Sequence, residues 1–303
     1  MFFSSSIKLK ETMDYNDYVD INKLQKLCLD VDKTTLKLEI DYKLSRAKGE
    51  EGPLSNINEF MYYKNNELIG YIGICHFGGV TLEVNGMVHP EFRRQGIFKA
   101  LFDLVKDEWV KRKAQNMLLL SDNNSISGLA FINSTRASYE HTEYEMLLRS
   151  KPKQAILSNN VVLRKANNKD AREIQDQNSI YFAGQDREDG EDKEKAIKMP
   201  EDEEKCGMII YIAEVGVKII GKVHLEVSYN NDIGGIFGLG VTPDDRGKGY
   251  GREILIGAIE KLKERNSKEI MLQVSATNNN ALNLYKSCGF VEASTMDYYQ
   301  MVE

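Results

Sequence analysis

Arg246-Gly247-Lys248-Gly249-Tyr250-Gly251 sets three glycines and two cations within six residues, between a strand-like and a helix-like stretch. Glycines admit backbone conformations closed to other residues and let a ligand approach the chain closely. A turn of this kind feeds a helix N-terminus, where N–H groups point outward and the helix dipole favours negative charge. The chemistry implied is a pyrophosphate cradle, with Arg246 and Lys248 adding charge nearby. It is not a P-loop, since G-x-x-x-x-G-K-[ST] is absent. It is not a dinucleotide fingerprint either, since Gly247, Gly249 and Gly251 give G-x-G-x-G. A purely structural tight turn is the competing reading of these six residues taken alone.

The elements that must hold this turn can be read around it. Ile233 to Val241 reads as the strand that delivers it. The helix after it carries Ile254, Leu255, Ala258, Ile259 and Leu262 at helical spacing. Ile270 to Val274 then reads as a buried strand and Asn279 to Lys286 as a second helix. The same order occurs earlier in the chain. A strand at Thr81 to Met87 precedes a helix with Phe98, Leu101, Phe102, Val105 and Trp109 on one stripe; a strand at Met117 to Leu120 and a helix at Ser125 to Asn133 follow. Val88, Pro90, Arg93 and Gly96 recur as Val241, Pro243, Arg246 and Gly249, at a single offset of 153 positions. Further upstream, Glu67 to Ile74 and Val217 to Leu225 read as matching strands. The chain is therefore a tandem repeat of one α/β fold. The boundary is expected between Ser150 and Asn160, where Lys151-Pro152-Lys153-Gln154 breaks the pattern, giving domains 1–152 and 160–303.

With these elements in place, Leu239-Gly240-Val241 followed by Arg246 to Gly251 resembles the acyl-CoA signature of the GNAT N-acyltransferases, [QR]-x-x-G-x-[GA]. The stretch from Asn278 through Ala281, Leu284 and Tyr285 to Gly289-Phe290 resembles that family's second signature, N-x-x-A-x-x-L-Y-x-x-x-G-F. The resemblance spans Asn160 to Glu303 and, more loosely, the first copy. It implies two tandem GNAT-type domains of α/β (α+β) class, each a mixed, mostly antiparallel sheet flanked by helices. It also implies acetyl-CoA as cosubstrate without a metal, and transfer of the acetyl group to a primary amine by direct attack. Arg246, Gly247, Lys248, Gly249, Tyr250 and Gly251 would hold the pyrophosphate. Leu239, Gly240 and Val241 would pair with the pantetheine arm and polarise the thioester. Asn278 would touch that arm from across the cleft, besides capping the helix it begins. Tyr285 would protonate the departing thiolate.

Two departures from the family pattern follow. Where some members carry a carboxylate base this chain has Gly235; Glu226 on the preceding strand, or water, is the substitute, and the base stays open. In the first copy Phe98 replaces the last glycine of the signature and Ile132 stands in register with Tyr285, so catalysis is expected only in the second copy. A non-catalytic acyl-CoA-binding or regulatory module is the rival reading, and O- or S-acyl transfer remains compatible with the motifs.

Composition narrows the partners. A net charge of -6 over 303 residues argues against general nucleic-acid binding, which needs a basic surface. Ten acidic and five basic residues fall between Asp186 and Lys205; a solvated loop is the ordinary reading, an amine-attracting lid the sharper one. Cys28, Cys75, Cys206 and Cys288 are scattered, giving neither a zinc site nor a disulfide framework and pointing to a reducing, cytoplasmic setting. No apolar run reaches membrane-spanning length, and the first residues do not form a signal peptide. The expected partner is a small amine or peptide acceptor, whose side of the site is expected from variable loops near Gln177 to Pro200 and the chain end. The chain is expected as a monomer with pseudo-dimeric domain packing or as a homodimer.

Overall fold

The computed structural model describes residues 4–46, 56–76, 81–151, 160–181, 197–228 and 232–301. The chain forms two compact units: Met1–Glu143 together with Ser294–Glu303, and Tyr144–Ala293.

Unit 1 opens with β1 (Ser5–Lys10), α1 (Tyr15–Asp32) and α2 (Ile40–Arg46), then β2 (Glu59–Lys64), β3 (Glu67–Cys75) and β4 (Thr81–Val88). After these come α3 (Ile97–Arg112), β5 (Asn116–Asp122), α4 (Ile126–Asn133) and the start of β6 (Ser138–Leu148). The strands β1 to β4 pair antiparallel in chain order, and β4 pairs parallel with β5. The crossover through α3 is what a parallel neighbour requires. Asp14 starts α1 with a capping box, its carboxylate accepting from the backbone of Asn16 and Asp17. Leu101, Phe102, Val105 and Trp109 bury the α3 stripe against β2, β3 and β4, each such side chain contributing about 1.5–3 kcal/mol.

Unit 2 repeats the plan. In order it has β7 (Val162–Lys165), α5 (Ala171–Tyr181), α6 (Pro200–Lys205), β8 (Met208–Val215), β9 (Lys218–Val227) and β10 (Ile233–Val241). It ends with α7 (Tyr250–Glu264), β11 (Glu269–Ser275), α8 (Asn279–Ser287) and the start of β12 (Phe290–Met301). Again the strands β7 to β10 pair antiparallel in chain order, and β10 pairs parallel with β11. The α7 stripe Ile254, Leu255, Ala258, Ile259 and Leu262 is fully buried in a core with Leu225, Ile236 and Leu272.

The units are not the two contiguous segments expected from the sequence. Met296 to Met301 of β12 pair with Met117 to Asp122 of β5, so the end of the chain completes unit 1. Tyr144, Met146 and Leu148 of β6 pack into the core of unit 2. Apolar alternation in these two strands marks them as strands and says nothing about which sheet receives them. The expected linker, 152–159, lies outside the described residues.

Candidate active site

In unit 2 the pairing of β10 with β11 runs from Ile233↔Glu269 to Ile236↔Leu272, and among the described residues no ladder pair joins them beyond that point. Phe237 to Val241 stay attached to β9 on the other side, with a register slip between Phe237 and Gly240. Gly234 to Ile236 are buried, whereas Phe237 to Val241 are half-buried. One edge of Leu239, Gly240 and Val241 thus has no β11 ladder partner among the described residues, which is the geometry an extended arm needs in order to pair with the backbone.

The cradle follows at once. Gly247 and Gly249 take φ of +78° and +88°, conformations that favour glycine, and a Cβ at Gly247 would meet nothing within 4 Å. No side chain caps α7. Arg246 donates from Nε to the Val241 carbonyl at 3.1 Å, fixing the turn to the strand end. Lys248, expected as a charge for the ligand, is committed to Asp245 at 2.9 Å. Asp245 is buried, also accepts from Lys218 at 2.6 Å and from Thr242 at 3.0 Å, and those two lysines hold its carboxyl below the usual range. Tyr250 and Gly251 form the first turn of α7. Gly251 lies against Leu284 and Val241, where a Cβ would make ordinary contacts at 3.5 and 3.7 Å, so packing alone does not demand glycine there. Open space, positive-φ glycines and an uncapped helix end fit a diphosphate.

Asn278 caps α8, its Oδ1 accepting from the Ala281 N–H at 3.1 Å. Tyr285 sits on α8 among the core residues of unit 2, edge-on to Phe290 with ring centroids 6.2 Å apart. Burial pushes its phenol up to about 12, so it keeps its proton throughout the neutral range. Cys288, one turn on, is fully buried.

Gly235 stands across from Glu226 in the ladder, and the ring of Phe237 fills the space a side chain at 235 would take. Sequence reasoning missed what lies on β9 nearby. Lys222 is fully buried; its Nζ donates to the Gly238 carbonyl at 3.2 Å and lies 3.1 Å from Nε2 of His224. The ring of Tyr181, at the end of α5, is 5.5 Å from the Lys222 ammonium and covers Gly240 so closely that a Cβ there would collide with it. Burial takes Lys222 down to about 7. His224 is held well below its ordinary value by burial, then by Lys222 and Lys198. The available signal was a lysine and a histidine two apart within the apolar strand Ile219 to Leu225, which ordinary alternation also explains. Residues 182–196, holding most of the acidic stretch and of the expected acceptor loop, lie outside the described residues.

Unit 1 has a cavity beside the corresponding strand end. The parallel pairing of β4 and β5 ends at Val84↔Leu119, and beyond it lies a cavity of about 620 Å³ lined by Asn85, Met87, Arg93, Gly96, Phe98 and Phe131. Phe98 meets Phe131 edge-on at 4.6 Å. Ile132, in register with Tyr285, is a buried core residue. Arg93 forms a bidentate pair with Asp32 at 2.7 and 2.6 Å. Among the described residues no group of three or more His, Cys, Asp or Glu side chains could hold a metal ion, and no helix is long and apolar enough to cross a membrane.

Residues 23–130 and 171–290 each match the sequence model of the Acetyltransferase (GNAT) family. A mycothiol acetyltransferase of Renibacterium salmoninarum is 35% identical over 80 residues, 26% of this chain and 24% of that protein. One of Thermobispora bispora is 33% identical over 85 residues, 26% and 29% of the two chains. The chain thus spans less than a third of the length of these curated relatives. Among solved structures, a GCN5-related N-acetyltransferase from Sphaerobacter thermophilus superposes with a TM-score of 0.70 at 16% identity, over 99% of this chain and 95% of that one. A tandem GNAT protein from the clavulanic acid biosynthesis pathway gives 0.69 at 13% identity, over 98% of both. At these identities the likeness is one of fold.

Proposed function

The chain belongs to the GNAT acetyltransferase family, and from that premise we propose that it moves an acetyl group from acetyl-CoA to a primary amine by direct attack, with the chemistry in unit 2. The observation that carries this is the conjunction in one unit of an open positive-φ glycine cradle, a strand edge released from its neighbour, and a protonated tyrosine on the following helix. The N–H groups of Gly247 to Gly251 would take the pyrophosphate, with Arg246 beside them. The backbone of Leu239 to Val241 would pair with the pantetheine arm and orient the thioester carbonyl. The amine nitrogen attacks that carbonyl, the C–S bond breaks, and Tyr285 gives its proton to the thiolate. Asn278, already holding α8, would meet the arm from the far side. No acyl-enzyme is required.

Unit 1 supports a second, narrower role. Its 620 Å³ cavity is within the range of small-molecule sites and includes the counterpart of the cradle, but Ile132 has no proton to give. It would hold an acyl-CoA without turning it over. The test is calorimetric titration of the whole chain with acetyl-CoA, followed by a turnover screen against amino acids, polyamines, aminoglycosides and peptide N-termini. Binding with thiol release for one amine class supports the reading; failure of the chain to bind acetyl-CoA contradicts it.

A further inference from the structure

We propose that Lys222, reached through His224, is the base that takes the proton from the acceptor ammonium in unit 2, a role that rests on the acetyl-transfer reading above. An alkylammonium has no lone pair and cannot attack a thioester; something beside the acyl site must deprotonate it. At Gly235 the ring of Phe237 takes the available space. In the ladder Lys222 stands opposite Gly240 and His224 opposite Phe237, so the two bracket Gly238 and Leu239, the start of the stretch assigned to the thioester. They share one face of β9, and their nitrogens are 3.1 Å apart. Lys222 is fully buried whereas His224 is half-buried, so the imidazole is the path by which a proton arrives.

The groups around the pair include Glu226 on β9 and Tyr181 on α5, with the charge of Lys198 acting on His224 and those of Arg246 and Glu173 on Tyr181. Burial of the amine favours a neutral Lys222. With burial taking it down to about 7, a lone pair is present at neutral pH. A neutral histidine accepts at one ring nitrogen while donating from the other. The acceptor ammonium thus gives a proton through His224 to Lys222 Nζ. Its freed nitrogen bonds to the thioester carbon, the C–S bond breaks, and the thiolate takes the Tyr285 proton. The second proton leaving the tetrahedral nitrogen restores Tyr285, and Lys222 returns its own through His224 to water.

The experiment pairs a lysine 13Cε NMR titration of the full chain with pH–rate profiles of wild type, Lys222→Met, Lys222→Arg and His224→Phe, using acetyl-CoA and an amine the wild type accepts. One lysine resonance should titrate near pH 7 and be missing from both Lys222 variants. At neutral pH kcat should fall about 100-fold in Lys222→Met and equally in Lys222→Arg, whose guanidinium cannot give up its proton, with acetyl-CoA affinity unchanged. His224→Phe should be slowed while the lysine still titrates low. A Lys222 resonance at the ordinary value of about 10.4 would overturn the proposal on the wild-type fold alone. So would a Lys222→Met enzyme with the wild-type profile, or a loss confined to the acceptor KM, which would make Lys222 an acceptor-binding group. A wild type that binds acetyl-CoA yet releases no thiol with any amine removes the acetyl-transfer reading itself, and this role with it.

Discussion

Val88 pairs with Gly70 in unit 1 and Val241 with Gly221 in unit 2, so Tyr71 and Lys222 occupy the same place one residue further along. Around Tyr71 the space is closed: its hydroxyl donates to Glu59 at 2.5 Å, Lys43 reaches the same carboxylate at 3.1 Å, and all three side chains are buried. Around Lys222 the neighbours include an imidazole, a carbonyl and an aromatic ring. At the cradle the contrast repeats. Arg93 and Arg246 each donate from Nε to their own strand end at 3.1 Å, but only Arg93 is also clamped by a carboxylate, that of Asp32, among the described residues; Phe98 stands where Gly251 does, and Ile132 where Tyr285 does. One path of backbone thus carries two sets of side chains: in unit 1 a buried Tyr71–Glu59–Lys43 cluster and an Arg93–Asp32 pair, in unit 2 a lysine beside a histidine, an open glycine turn and a protonated tyrosine.

The sharpest way to break this comparison is a pair of matched blocks. Gly249→Glu sets a carboxylate against the ligand's phosphates, a like-charge contact costing several kcal/mol, and should reduce acetyl-CoA turnover by more than about 100-fold. Gly96→Glu, its counterpart in unit 1, should leave turnover near wild type; the reverse pattern in a steady-state assay would exchange the roles of the units. Lys43→Met leaves Glu59 buried without its cation and should destabilise unit 1 by about 3 kcal/mol, read by hydrogen exchange in β2 and β3, without slowing turnover. Tyr285→Phe should lower kcat about 100-fold with unchanged acetyl-CoA affinity. Because the phenol must be protonated to act and burial holds it at about 12, no alkaline loss from Tyr285 should appear in the pH–rate profile until pH approaches that value. The smallest effect belongs to Asn278→Ala: loss of the α8 cap should cost about 1 kcal/mol in denaturant unfolding, and any added rise in the acetyl-CoA KM measures its contact with the arm.

Much of this was legible in the sequence. The repeat, both strand–turn–helix units and the cradle are local patterns, in which glycine position, apolar spacing and the Asn278 cap are fixed by neighbours in the chain. β10 ends at Val241 and α7 begins at Tyr250, on either side of the motif's turn. Partnerships between distant residues were not legible. Asp32 meets Arg93 across 61 positions, and nothing in either residue's neighbourhood announces the other. The commitment of Lys248 to Asp245 is local, but the motif's cation invited a ligand reading first. The placement of β12 against β5 depends on which sheet edge is open when the chain ends, a property of the assembled fold. Tyr181 over Gly240 belongs to the same class: the glycine was assigned to the thioester, whereas the structure also requires it for the ring above.

Hydrogen exchange of the whole chain with and without acetyl-CoA tests the central claim most directly. The peptide covering Leu239 to Gly251 should gain protection at its amides on addition of the thioester, since those N–H groups are assigned to the arm and the diphosphate. Protection in Val88 to Phe98 alongside it would fit a ligand held also in unit 1. An unchanged Leu239 to Gly251 peptide at saturating acetyl-CoA would contradict the assignment of the cradle.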